Sequence, residues 1–193
     1  MANEDKKDFN AMLNDSKDML PNIKLIKPTI KYANDIMLYR QEFLDSNESL
    51  AGCGNLRECT TANEWIDGIN LRENEETCPK GKVCSNTFLA IRLEDDKIVG
   101  IIDLRHHIKH PILSVWGGHI GFSVRPTERR KGYASEMLRQ NLINCKELGL
   151  DKVLVTCDFD NIASKKTILS NGGIFEKEVL IDGGRIERYW IIT

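Results

Sequence analysis

The most constraining feature of this chain is a change of period between residues 120 and 138. Ile120-Gly121-Phe122-Ser123-Val124 reads as extended chain, whereas Ala134, Met137, Leu138, Leu142, Cys145 and Leu148 recur at the spacing of one helix face, with Gly149 as the stop. Between them lies Arg125-Pro126-Thr127-Glu128-Arg129-Arg130-Lys131-Gly132-Tyr133. A strand that enters a helix through such a loop leaves the amides of the first helical turn without partners inside the helix, and the helix dipole favours negative charge there. That combination is a phosphate seat. Gly132 and Ala134 are small enough to admit a ligand to the backbone, Arg129, Arg130 and Lys131 add positive charge, and Tyr133 and Ser135 belong to the same turn. A pyrophosphate suits this design better than a lone carboxylate.

The rest of the chain alternates strand and helix patterns. Residues 1–20 are polar apart from Phe9, Met12, Leu13, Met19 and Leu20, and read as a tail or a short amphipathic helix ahead of a domain spanning 21–193. Ile23-Lys24-Leu25-Ile26 is a strand candidate, and Tyr32, Ile36, Met37, Tyr39, Arg40 and Phe43 describe a helix. Another helix opens at Thr60-Thr61-Ala62-Asn63-Glu64, a capping pattern. Residues 87–93 and 98–104 form a hairpin around Glu94-Asp95-Asp96-Lys97, and 112–116 and 119–124 are read as further extended chain. Residues 153–157 make a buried strand, Asn161 caps a helix from 162 to 170, and two last strands, 174–181 and 185–192, flank a turn at Asp182-Gly183-Gly184. The expectation is one α/β domain: a mixed, twisted sheet of about seven strands with helices on both faces.

Composition narrows the function classes. With 27 Lys and Arg against 29 Asp and Glu, the net charge is -2, so no whole-protein field draws the chain to nucleic acid, and anion recognition must be local. The six cysteines, Cys53, Cys59, Cys78, Cys84, Cys145 and Cys157, lack the spacing of a zinc ribbon or redox motif and read as reduced thiols. There is neither a signal-like apolar stretch nor a run long enough to span a membrane, so no membrane is expected as a partner and the cytoplasm is the expected location.

The loop Arg129-Arg130-Lys131-Gly132-Tyr133-Ala134, its place between strand and helix, and a second strand-to-helix unit with Asn161-Ile162-Ala163-Ser164 and Gly172-Gly173-Ile174-Phe175 resemble the GNAT superfamily of acetyl-coenzyme A dependent N-acetyltransferases. The resemblance implies acetyl-CoA as cosubstrate, an amine-bearing acceptor, and a pantetheine arm lying between the strands at 120–124 and 153–157. Backbone groups of Phe122 and Val124, with Ser123 between them, would meet that arm, and Asn161 would join the cofactor site. It also exposes a departure. Many members carry a Tyr seven residues after the Asn, as the acid that protonates the departing thiolate; here that position is Ile168. Ser164 matches the subgroup that acetylates ribosomal-protein N-termini and is the substitute acid.

For the base that frees the amine, His119 is the candidate, with Glu176 and Tyr189 behind it. His106-His107-Ile108-Lys109-His110 could present imidazoles to a metal, but reads rather as surface or acceptor-site wall, and no metal is expected. Cys157, within an apolar strand, is a poor nucleophile. The acceptor is not legible, its determinants falling in residues 47–84 and 105–116; a homodimer is left open, and a non-catalytic coenzyme A binding or sensing domain is the alternative reading.

Overall fold

Apolar residues at every second position are what let one sheet carry helices on both sides. In the computed structural model, which describes residues 20–193 apart from Asp182, Leu89, Ile91, Ile98 and Ile101 face one way while Ala90, Val99 and Ile102 face the other. The strands are β1 (Ile23–Ile26), β2 (Ser85–Arg92), β3 (Lys97–Arg105), β4 (Ile120–Val124), β5 (Lys152–Asp158), β6 (Ile174–Ile181) and β7 (Gly184–Ile192). They form one seven-stranded sheet in the order β1-β2-β3-β4-β5-β7-β6, in which β4 and β5 alone run parallel. Helices α1 (Ala33–Asp45) and α2 (Ala62–Asn70) cover the front; α3 (Tyr133–Glu147) and α4 (Ile162–Ser170) cover the back. The expected mixed seven-strand α/β domain is thus the observed one. The reading of residues 1–19 and of the turn residue Asp182 falls outside the described residues.

Local chemistry sets the helix starts. Thr61 Oγ1 accepts the Glu64 N–H at 3.2 Å while a Glu64 carboxylate oxygen accepts the Thr60 N–H at 2.9 Å, so α2 opens where the capping pattern predicts. Asn161 Oδ1 accepts the Ser164 N–H at 3.0 Å and opens α4.

One expectation fails. Residues 112–116, read as extended chain, instead enter a π-helical turn, Leu113–Gly117. Two arginines explain it: Arg188 Nη1 donates to the Ser114 carbonyl at 2.6 Å, and Arg105 Nη1 donates to those of Gly117 and Gly118 at 2.7 and 3.0 Å. Carbonyls aimed in one direction are what a helical turn presents and a strand does not.

Helix α1 is fastened to β4 by a buried cation. Arg125, 1% exposed, meets the Asp35 carboxylate at 2.7 Å and that of Glu42 at 3.2 Å, and stacks 5.5 Å above the Tyr39 ring. A guanidinium taken out of water requires such partners. Tyr39 in turn donates to Ser123 Oγ at 3.0 Å, and Cys53 Sγ lies 3.3 Å from the same oxygen.

The α1–α2 connection then crosses β4 backbone to backbone. Gly52 has φ +77°, and a Cβ there would lie 2.3 Å from the Gly121 carbonyl oxygen. Gly81 has nearly the same φ, +78°, with nothing within 4 Å of its Cβ position. Gly81→Ala should therefore cost only the left-handed backbone penalty, about 1–2 kcal/mol. Gly52→Ala should cost clearly more, because the loop must also lift off β4. Urea unfolding of the two variants checks this, and equal losses would contradict the close approach.

Candidate active site

Strands β4 and β5 meet at a single bridge, Ile120 to Val155, and separate beyond it. At the closed end the His119 N–H donates to the Leu154 carbonyl at 2.7 Å, and the Leu154 N–H donates to His119 Nδ1 at 2.9 Å. On the β3 side, the Arg125 N–H donates to the Val99 carbonyl and the Arg105 N–H to that of His119. With antiparallel alternation this gives Gly121 and Ser123 to β3 and turns the N–H and C=O groups of Phe122 and Val124 toward the gap. The Val124 carbonyl there accepts only from Arg129 Nε, at 3.2 Å, among the described residues.

Backbone groups in a sheet interior are normally paired. A gap that the backbone of Phe122 and Val124 faces beyond the last bridge is a slot for an extended amide-bearing ligand, which would take the place of a strand. A pantetheine arm has that form.

The loop that follows β4 presents a run of backbone amides. Gly132 caps α3 in the left-handed region at φ +81°, and Arg130 is left-handed at +66°. The N–H groups of residues 130–135 have no acceptor among the described residues. Its cations are not all free: Arg129 forms a two-pronged pair with Glu48, at 3.1 and 2.5 Å, and lies over the Phe43 ring. Lys131 reaches Glu128 at 2.8 Å, where Arg92 also binds at 2.7 Å. Arg92 extends as well to the Tyr133 hydroxyl at 3.2 Å. Ser135 Oγ lies 3.1 Å from Ser170 Oγ, joining α3 to α4.

The sequence-derived candidates therefore separate. Phe122 and Val124 lie on β4 beyond the bridge, the loop 129–135 follows the end of β4, and Asn161 and Ser164 follow the end of β5, all at the open end of the V that the two strands form. Ser123 turns away, its backbone toward β3 and its hydroxyl in the buried cluster with Tyr39 and Cys53. Asn161 spends its carbonyl oxygen on the helix cap, leaving its Nδ2 for a ligand. Ser164 is half-buried, with no partner for its hydroxyl among the described residues. Ile168 is fully buried in the back core.

His119 is poorly placed to act as a base. Its Nδ1 lone pair is taken by Leu154, it sits at the closed end, and burial pushes its pKa down to about 4, too acidic a conjugate acid to draw a proton from an ammonium. Tyr189 donates to Glu187 at 2.6 Å, and burial together with that carboxylate holds its hydroxyl pKa well up. Glu176 is paired with Arg188 at 2.6 Å. Burial raises the Cys157 thiol to about 11, so it is inert as a nucleophile near neutrality. The rings of His106, His107 and His110 bond separately, to Asn86 Oδ1, the Lys109 N–H and the Ile112 N–H, and do not converge.

A splayed parallel pair beside a loop of free amides is an arrangement that suits an acyltransferase drawing on coenzyme A. Residues 24–174 match the family described as the acetyltransferase (GNAT) domain, and the chain belongs to that family. As a member of that family it is an N-acetyltransferase, and acetyl-CoA is its cosubstrate. RimJ of Mycobacterium smegmatis, solved with a coenzyme A disulfide, superposes with a TM-score of 0.64 at 16% identity, over 90% of this chain and 84% of that one. RimL, a ribosomal L7/L12 alpha-N-protein acetyltransferase solved with coenzyme A, gives 0.63 at 15% identity, over 89% and 94%. The Microcin C7 self-immunity acetyltransferase MccE, solved with acetyl-CoA and AMP, gives 0.62 at 18%, over 89% and 93%. At these identities the likeness is one of fold. No curated protein matches the sequence. Among the described residues no helix is long and apolar enough to cross a membrane.

Gly132→Asp should weaken coenzyme A binding at least tenfold, about 1.4 kcal/mol, by setting a carboxylate among the loop amides. Gly132→Ala should share its loss of stability, since φ +81° strains any Cβ, but lose less affinity. Calorimetric titration of both folded variants separates strain from charge; affinities equal to the parent's would place the phosphates elsewhere.

Proposed function

We propose that the chain transfers the acetyl group of acetyl-CoA to a primary amine, on a small molecule or at a protein N-terminus, by direct attack of the amine on the thioester. The observation that carries this reading is the single β4–β5 bridge, which leaves the Phe122 and Val124 backbone free to hold the pantetheine arm. The loop 129–135 takes the pyrophosphate on its amides, and the Asn161 amide donates to the arm. Among structures of similar fold, one acts on a ribosomal protein's alpha-amine and others on spermidine, which supports an amine as acceptor.

The Val124 N–H, turned into the gap, is placed to donate to the thioester oxygen as negative charge develops on it. The acceptor enters as the free amine; as the carbon–nitrogen bond forms and the carbon–sulfur bond breaks, the Ser164 hydroxyl gives the leaving thiolate its proton and regains one from the nitrogen, leaving a neutral amide and coenzyme A thiol. Ser164 fits because its backbone is fixed by the Asn161 cap while its hydroxyl remains uncommitted. Tyr189 fits less well, its proton being already engaged by Glu187.

Thiol release from acetyl-CoA across a panel of amines, N-terminal peptides and polyamines tests the reading. Background rates throughout, with coenzyme A still bound, would replace it with a sensing role. With an active acceptor, Ser164→Ala should lower kcat about 100-fold or less while leaving coenzyme A affinity within threefold, since the proton matters mainly in the transition state. Full turnover in Ser164→Ala with loss in Tyr189→Phe would move the acid to β7.

A further inference from the structure

Beneath the closed end of the V, a cleft of about 370 Å³ opens between the β3–β4 connection and the adjoining ends of β5 and β7. Ile108, Leu150 and the Trp190 indole give it apolar walls, with His106 and His107 beside them. Lys109 and Lys152 line it and are exposed, the Lys152 ammonium lying 4.9 Å over the Trp190 ring. No Asp or Glu lines it. Three carboxylates nearby are already matched, Asp103 with Arg105 at 3.4 Å, Glu176 with Arg188 at 2.6 Å and Glu73 with Lys27.

His119 supplies the second observation. It is only 5% exposed and lines the cleft. Because Nδ1 accepts the Leu154 N–H, the ring proton of the neutral imidazole must sit on Nε2, and that N–H has no acceptor among the described residues. Meeting the cleft rather than a protein acceptor, this N–H is open to the acceptor atom of a bound ligand.

We propose that this cleft binds a small carboxylate borne on a flat apolar body, such as an aryl-alkyl acid, with the carboxylate accepting from His119 Nε2 and meeting the Lys109 and Lys152 ammonium groups. Bare phosphate would satisfy the donors but leave the indole and aliphatic walls against water. A neutral arene would cover the walls but leave the donor unmet. The volume suits one ring and a short acid, and the site lies apart from the gap and loop read as the acetyl-CoA seat.

Phenylacetate is the probe, titrated calorimetrically into the full chain alongside 2-phenylethanol and inorganic phosphate. Saturable binding of phenylacetate is expected, at least tenfold tighter than either control. The His119 Nε2–H resonance should shift in imidazole nitrogen-correlated spectra. Lys109→Gln/Lys152→Gln, at two exposed positions, should weaken phenylacetate at least tenfold while coenzyme A binds as in the parent. No saturable binding at 10 mM, equal affinity for the alcohol or for phosphate, an unmoved His119 signal, or an unaffected double variant would each overturn the proposal.

Discussion

The structure turns on one missing set of hydrogen bonds. A parallel pair in mid-sheet would ordinarily zip along its length, yet β4 and β5 hold together at one bridge and then part. Strand β4 therefore lacks lateral support on one side, and the front of the molecule compensates. Arg125, Tyr39 and the Gly52 crossing bind α1 and its following loop to Gly121 and Ser123 of β4 and to the residue just after it. The rigidity that β5 withholds is supplied through a layer of side chains, so the gap stays open and its amides keep their direction.

Electrostatics at the loop follow the same logic of prior arrangement. In a chain of net charge -2, the cations at 129 and 131 rest on Glu48 and Glu128. The Arg129–Glu48 pair is two-fifths exposed on both sides, and such pairs are worth about 0–1 kcal/mol. A doubly charged pyrophosphate can displace or share these partners at little cost. Holding each cation in place meanwhile limits the side-chain ordering that binding would otherwise require.

Much of this was legible in the sequence because it is local. The strand-to-helix change of period, the Thr61 and Asn161 caps and the order of strands follow from near neighbours in the chain. What the sequence hid was long-range. Residues 112–116 have strand-like composition, and only Arg188, 74 positions from Ser114, turns them into a helical turn. Ser123 sits between two gap-facing residues, yet its register with Ile101 and its bond from Tyr39 turn it away. His119 read as a base from its intrinsic acidity; a strand paired through Leu154 and the burial around it reversed that. The cleft beside it joins residues from three separate stretches, so no motif could announce it.

The packing around Ile168 limits which side chains this helix can offer to the gap. Its side chain is wholly buried, and its Cγ2 lies 2.4 Å from where a Cβ on Gly173 would be. The helix and the turn after it have closed around an aliphatic residue. A tyrosine at 168 would need room for a ring in a core packed to the density of a crystal, together with a route for its hydroxyl to reach the gap. No single substitution supplies both. A phenol at this position would therefore require the helix, the Gly172-Gly173 turn and the core beneath them to be rebuilt together.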